Sequence, residues 1–234
     1  MNRLAATETH IHGDNMPADK LNAPVRPRRL GVISTIAMLV ILVLPLPAWF
    51  FPQLGRNTQV GRECVFWAMT LALLLWVRLV ERRSLRSIGL RRAGWMTVLT
   101  GISAAAVMIA GMTLLYIVVL PAIGEQASAA KLSDLNALPL MLRIFIVLRA
   151  SIFEELFYRG FAIERLAELT GSRGLAAFAS LVAFTLAHVS YWGIGHLMIA
   201  AFGGAVLTGL YLWRRDLAAN SIAHFITDAV AFLS

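Results

Sequence analysis

Six ionisable side chains fall inside runs of sequence that are otherwise almost wholly apolar: Glu154, Glu155 and Arg159, then His188, then His224 and Asp228. A charged side chain at bilayer depth costs at least about 2.5–3.5 kcal/mol on insertion scales, so a chain that keeps such groups must give them partners or a task. Adjacent carboxylates add to the cost, because like charges resist joint ionisation. Arg159 lies four residues beyond Glu155, which on an α-helix puts the two on one face within pairing reach. Glu154 points about 100° away and is left for another role. His224 and Asp228 are also four apart and share a face.

These residue types make a usable list. A carboxylate and an imidazole can hold and deprotonate a water. A second imidazole can donate to a developing oxyanion. Histidine nitrogen and carboxylate oxygen are also ordinary zinc ligands, and Glu154, His188 and His224 would be the zinc set. Each residue alone has a plainer reading: a hydrogen-bonded core histidine, or Glu155 with Arg159 as a structural ion pair. Gathered on three late apolar segments, they point to a site, because intramembrane ionisable residues mark function by default.

The elements that must hold them are membrane helices. Of 234 residues, 59% are hydrophobic and 15% charged, against roughly 25% charged in a soluble domain, and the mean hydropathy is +0.72. The apolar runs are long rather than alternating, which predicts an all-α integral membrane protein, a polytopic bundle of about seven transmembrane helices. The net charge of +8 reads as positive-inside loops meeting anionic lipid rather than as a nucleic-acid surface, since the arginines are spread over several loops. The single Cys64 excludes an internal disulfide framework and reads as a packing residue.

Residues 1–29 read as a disordered, polar and basic cytosolic tail ahead of a transmembrane domain at 30–234. His10 and His12 belong to that solvated tail. The predicted spans are 31–51, kinked by Pro45 and Pro47, then 63–80, 95–120, 139–163, 174–192, 196–213 and 217–233. Residues 122–138 should form an outer loop or interfacial turn. Gly101, Ala104, Ala105 and Gly111 give the third span a small face suited to close packing. The loop 81–92 is the most basic, so it and the N-terminus should be cytoplasmic. At 1.5 Å per residue these boundaries put Glu154 and His224 roughly 10 Å from the inner face and His188 nearer 20 Å, a mismatch that a shared site has to resolve.

The three groups form motifs: Glu154-Glu155-x-x-x-Arg159, Phe184-x-x-x-His188 and His224-x-x-x-Asp228. In this order, on successive late helices, they resemble the CAAX-protease and bacteriocin-processing family of intramembrane proteases over residues 139–233, which the resemblance marks as a catalytic core. The resemblance implies an intramembrane endopeptidase in the inner membrane of a bacterium. Its substrate would be a membrane-associated, C-terminally tagged or prenylated protein. It implies that Glu154 with His188 activates water, that Glu155 and Arg159 position the site, and that His224 and Asp228 support the oxyanion. It favours glutamate-activated water without a cofactor, with zinc as the alternative. An ionised Asp228 can only accept hydrogen bonds, so either Asp228 is protonated or, as preferred here, it holds His224 as the imidazolium and His224 alone donates. Two other classes compete: a non-catalytic bacteriocin-immunity or scaffold protein, and a proton-coupled carrier, which the lack of a visible inverted repeat disfavours.

Overall fold

The computed structural model describes residues 56–125 and 129–233. Among these residues the fold is all-helical, with no strand. Helix α1 spans Arg56–Leu75 and continues as a π-helical segment Trp76–Val80. A 3-10 turn at Leu85–Ile88 follows. Helix α2 runs Trp95–Leu114 and carries on through Leu115–Val119 and Leu120–Ala122. A short α3 covers Ala129–Asn136 within the expected outer loop. Helix α4 is one rod in three parts: Leu140–Glu154, a π-helical stretch Glu155–Ile163, and Glu164–Thr170. Helices α5 (Arg173–Trp192), α6 (Leu197–Arg214) and α7 (Leu217–Phe232) complete the bundle.

Among the described residues, three helices are long and apolar enough to cross a membrane: 59–80, 95–122 and 197–214. Two shorter apolar helices, Arg173–Val189 and Leu217–Phe232, pack beside them. The tail at 1–29 and the first expected span, 31–51, lie outside the described residues. Pro121 sits at the start of the short α-helical turn Leu120–Ala122 that follows the π-helical stretch, the position in a turn where a missing N–H is tolerated, so the helix outruns its predicted end at 120.

The largest departure from the predicted spans is the end of α4. The sequence turns polar at Glu164, yet the helix continues to Thr170. Glu164 and Arg165 are both buried, because each has an ionic partner from another element. Arg165 donates to Glu81, and Glu164 accepts from Arg173, Arg215 and the Tyr211 hydroxyl. This extension removes the depth mismatch. Glu154 stands sixteen residues before Thr170, and His188 stands fifteen after Arg173, so the two reach the same level of the bundle.

Small residues set how closely the helices approach. A Cβ on Gly101 would meet Ile222 and the Ala219 carbonyl at 2.8–2.9 Å, which puts α2 hard against α7. A Cβ on Gly160 would come within 2.7 Å of the Ile88 carbonyl, so the 85–90 turn is packed directly on the π-helical stretch. Asp216 caps α7, its carboxylate accepting from the Ala218 and Ala219 N–H groups and from the Thr97 hydroxyl. Cys64 faces outward on α1 and is exposed, which corrects its reading as a packing residue.

Candidate active site

The site forms where the middle of α4 meets α5, α6 and α7. π-Helical turns are rare and often occur at functional sites. Here the stretch begins at Glu155, so the two adjacent glutamates straddle the change of helical form.

Glu155 is fully buried. Its Oε1 accepts from Arg159 Nη1 at 2.9 Å and lies 2.9 Å from His224 Nδ1. Its Oε2 accepts from Asn220 Nδ2 at 3.0 Å. Arg159 in turn donates to the Gly204 carbonyl at 3.1 Å, and its guanidinium lies 4.1 Å over the Phe184 ring. Gly204 permits this approach: a Cβ there would strike Leu181 and Phe184 at under 3 Å. Asn220 also donates to the Leu207 carbonyl at 2.7 Å. The Glu155 carboxylate therefore ties α4 to α7 through two side chains, and Arg159 ties it to α6.

Glu154 lives differently. It keeps 19% side-chain exposure, and its nearest polar side-chain neighbours stand off: Arg149 Nη1 at 3.7 Å and His188 Nε2 at 3.9 Å. Arg149 is committed elsewhere, with a two-point ion pair to the buried Glu63 at 2.8 and 3.1 Å and a Phe66 ring beneath it. His188 Nδ1 lies 2.8 Å from the Phe184 carbonyl, four residues back on α5. A carbonyl only accepts, so Nδ1 carries the proton, and in the neutral ring Nε2 presents a lone pair toward Glu154. Two acceptors thus face each other across a gap too wide for a direct bond, which is the spacing that one donor between them fills.

That gap opens on a cavity of about 470 Å³. Glu154, Tyr158, His188, His224 and Asp228 line it, whereas Glu155 and Arg159 lie behind its wall. Its apolar lining reaches Tyr116, Trp192 and Phe232, at the helix ends away from the 81–92 loop. On its far side, His224 Nε2 is 3.4 Å from Asp228 Oδ2 while Nδ1 rests on Glu155. An imidazole can donate at both nitrogens only as the imidazolium.

All six residues singled out from the sequence thus converge on one region, four on the cavity wall and two behind it. The sequence reading missed Asn220, although it lies four residues before His224 on the same face and a ladder at 220, 224 and 228 was there to see. It also missed Glu63, a lone carboxylate in an apolar span of the same kind as Glu154. His196, whose ring stacks on Trp192 at 4.8 Å and lies 6.4 Å from His188, carried no motif.

Residues 136–230 match the family model of the type II CAAX prenyl endopeptidases described as Rce1-like. The matched stretch holds all three motifs, so the family match and the resemblance drawn from the motifs fall on the same part of the chain. No curated protein and no solved structure matches the chain.

Proposed function

We propose, with that family match as the premise, that the chain is an intramembrane endopeptidase. It would hydrolyse a peptide bond of a membrane-associated, C-terminally tagged or prenylated protein by glutamate-activated water. The observation that carries this reading is the pair of facing acceptors on the cavity wall, Glu154 Oε2 and His188 Nε2, 3.9 Å apart. A water held there donates one hydrogen to each, which leaves its lone pair turned toward the cavity. Glu154 takes the proton as the oxygen adds to the scissile carbonyl, and the same carboxyl returns it to the leaving amine. The imidazolium of His224 turns its Nε2–H from Asp228 to the developing oxyanion, and Glu155 holds the opposite nitrogen in place.

The side chains fit a zinc ion poorly as they are arranged. Both His224 nitrogens point at carboxylates. Both Glu155 oxygens have protein donors. Among the described residues, no three His, Cys, Asp or Glu side chains converge as a ligand set. These features support metal-free hydrolysis. The basic end of the bundle, around 81–92, is taken to face the cytoplasm of a bacterial cell, with the N-terminus on the same side. Ser87→Cys should then be labelled by a membrane-impermeant maleimide only after the cells are opened.

The test of function is Glu154→Gln in purified, vesicle-reconstituted protein, assayed on a prenylated C-terminal peptide. Cleavage should fall on the order of 10²–10⁴-fold while the protein inserts and purifies normally. Undiminished cleavage would overturn the enzyme reading built on Glu154.

A further inference from the structure

The end of the bundle that carries the 81–92 loop is rich in arginine, and part of that charge is matched. Arg83 pairs with Glu168, Arg165 with Glu81, and Arg173 and Arg215 with Glu164. These pairs use up the carboxylates of Glu81, Glu164 and Glu168. Arg91, Arg92 and Arg214 have no ion-pair partner among the described residues, and all three line one open pocket of about 500 Å³. The same pocket is flanked by Trp95 and Trp213, which are 74% and 71% exposed. The Arg214 guanidinium sits 5.5 Å from the Trp213 ring. One acid, Asp216, also lines the pocket. It is 5% exposed, and its oxygens already accept from Thr97, Ala218 and Ala219, so it neutralises little of the arginine charge.

We propose that this pocket binds the phosphodiester headgroup of an anionic membrane lipid. Guanidinium forks match phosphate oxygens in pairs, and three of them without a carboxylate partner leave a concentrated positive field. Exposed indoles are the side chains that settle at the headgroup level of a bilayer. Two of them here bracket the arginines at the membrane-water boundary, where α2 begins and α6 ends. A solvated basic loop would need neither the tryptophans nor the convergence of residues 91, 92 and 214 from two separate chain segments. The site lies at the opposite end from the catalytic cavity and does not rest on proteolysis.

The experiment is native mass spectrometry of the full chain in detergent, titrated with phosphatidylglycerol and, in parallel, phosphatidylcholine. The wild type should retain phosphatidylglycerol in preference. An arginine near an anionic lipid surface contributes about a fivefold gain in binding, so R91Q/R92Q/R214Q should weaken retention on the order of a hundredfold. R91K/R92K/R214K keeps the charge but not the forks and should retain the lipid to a degree between the wild type and the glutamine variant, and elution as a single monodisperse peak checks the fold directly. R82Q/R86Q removes two exposed arginines from the same loop but outside the pocket, and should leave retention unchanged. Equal loss in that control would mean general surface charge and would overturn the site. So would equal retention of phosphatidylcholine, or wild-type retention by the triple glutamine variant. Displacement of the lipid by inorganic phosphate at equal concentration would identify a soluble anion as the ligand and would overturn the headgroup assignment.

Discussion

Glu154 and Glu155 are neighbours in the chain and opposites in the structure. Glu155 is fully buried, with both oxygens engaged by Arg159, Asn220 and His224. Glu154 is partly exposed on a cavity wall, with the Arg149 guanidinium 3.7 Å and the His188 imidazole 3.9 Å away. A carboxylate saturated by fixed donors is a structural joint, because any proton it took up would break the bonds that hold three helices together. A carboxylate with unfilled acceptor positions beside a cavity can bind water and exchange a proton with it. The difference arises from one step along a helix, which turns one side chain toward the α6–α7 interface and the other toward open space.

Replacing each member separately tests that contrast. The largest effect is expected for Glu154→Gln. Its turnover should fall on the order of 10²–10⁴-fold, the range of one general acid–base group, with an unchanged unfolding temperature. An equal fall in stability would break the contrast. Glu155→Gln should do the reverse. It leaves Arg159 and His224 buried without their anion, a loss of about 3–5 kcal/mol in stability, read as a lower unfolding temperature and a poor monodisperse yield in detergent. A variant that folds like the wild type and only lacks activity would put Glu155 in the chemistry instead. Asn220→Ala removes one donor to the same carboxylate and should cost less, about 1.5–3 kcal/mol, by the same unfolding measurement. The smallest expected effect is none at all: exhaustive dialysis against a chelator should leave turnover intact, with elemental analysis finding well under one zinc per chain. Activity lost on chelation and restored by zinc would make Glu154 a ligand and erase the distinction between it and a general base.

Local spacing made part of this site readable before any coordinates. Glu155 with Arg159 and His224 with Asp228 are both four apart, and helical geometry alone brings such pairs together. The structure has both pairs, at 2.9 and 3.4 Å. The end of α4 was not readable in that way. Glu164 and Arg165 look like solvent-facing residues in the sequence, and only their partners from the 81–92 loop, α5 and the α6–α7 turn make them buried members of a longer helix. The outward face of Cys64 was equally hidden, since an apolar helix does not announce which side meets its neighbours.

By itself, the sequence determined that the described chain is helical and apolar, which residues could do chemistry, and which of them pair within one turn. Those properties follow from composition and from the 3.6-residue period, both of which are local. The tertiary structure alone decided that Glu154 lies level with His188, that Asn220 completes the Glu155 cluster, and that Arg149 is held by Glu63. Each of these contacts joins residues more than thirty positions apart. Their distances depend on where helices end and how closely glycines let them approach, and no local period encodes either.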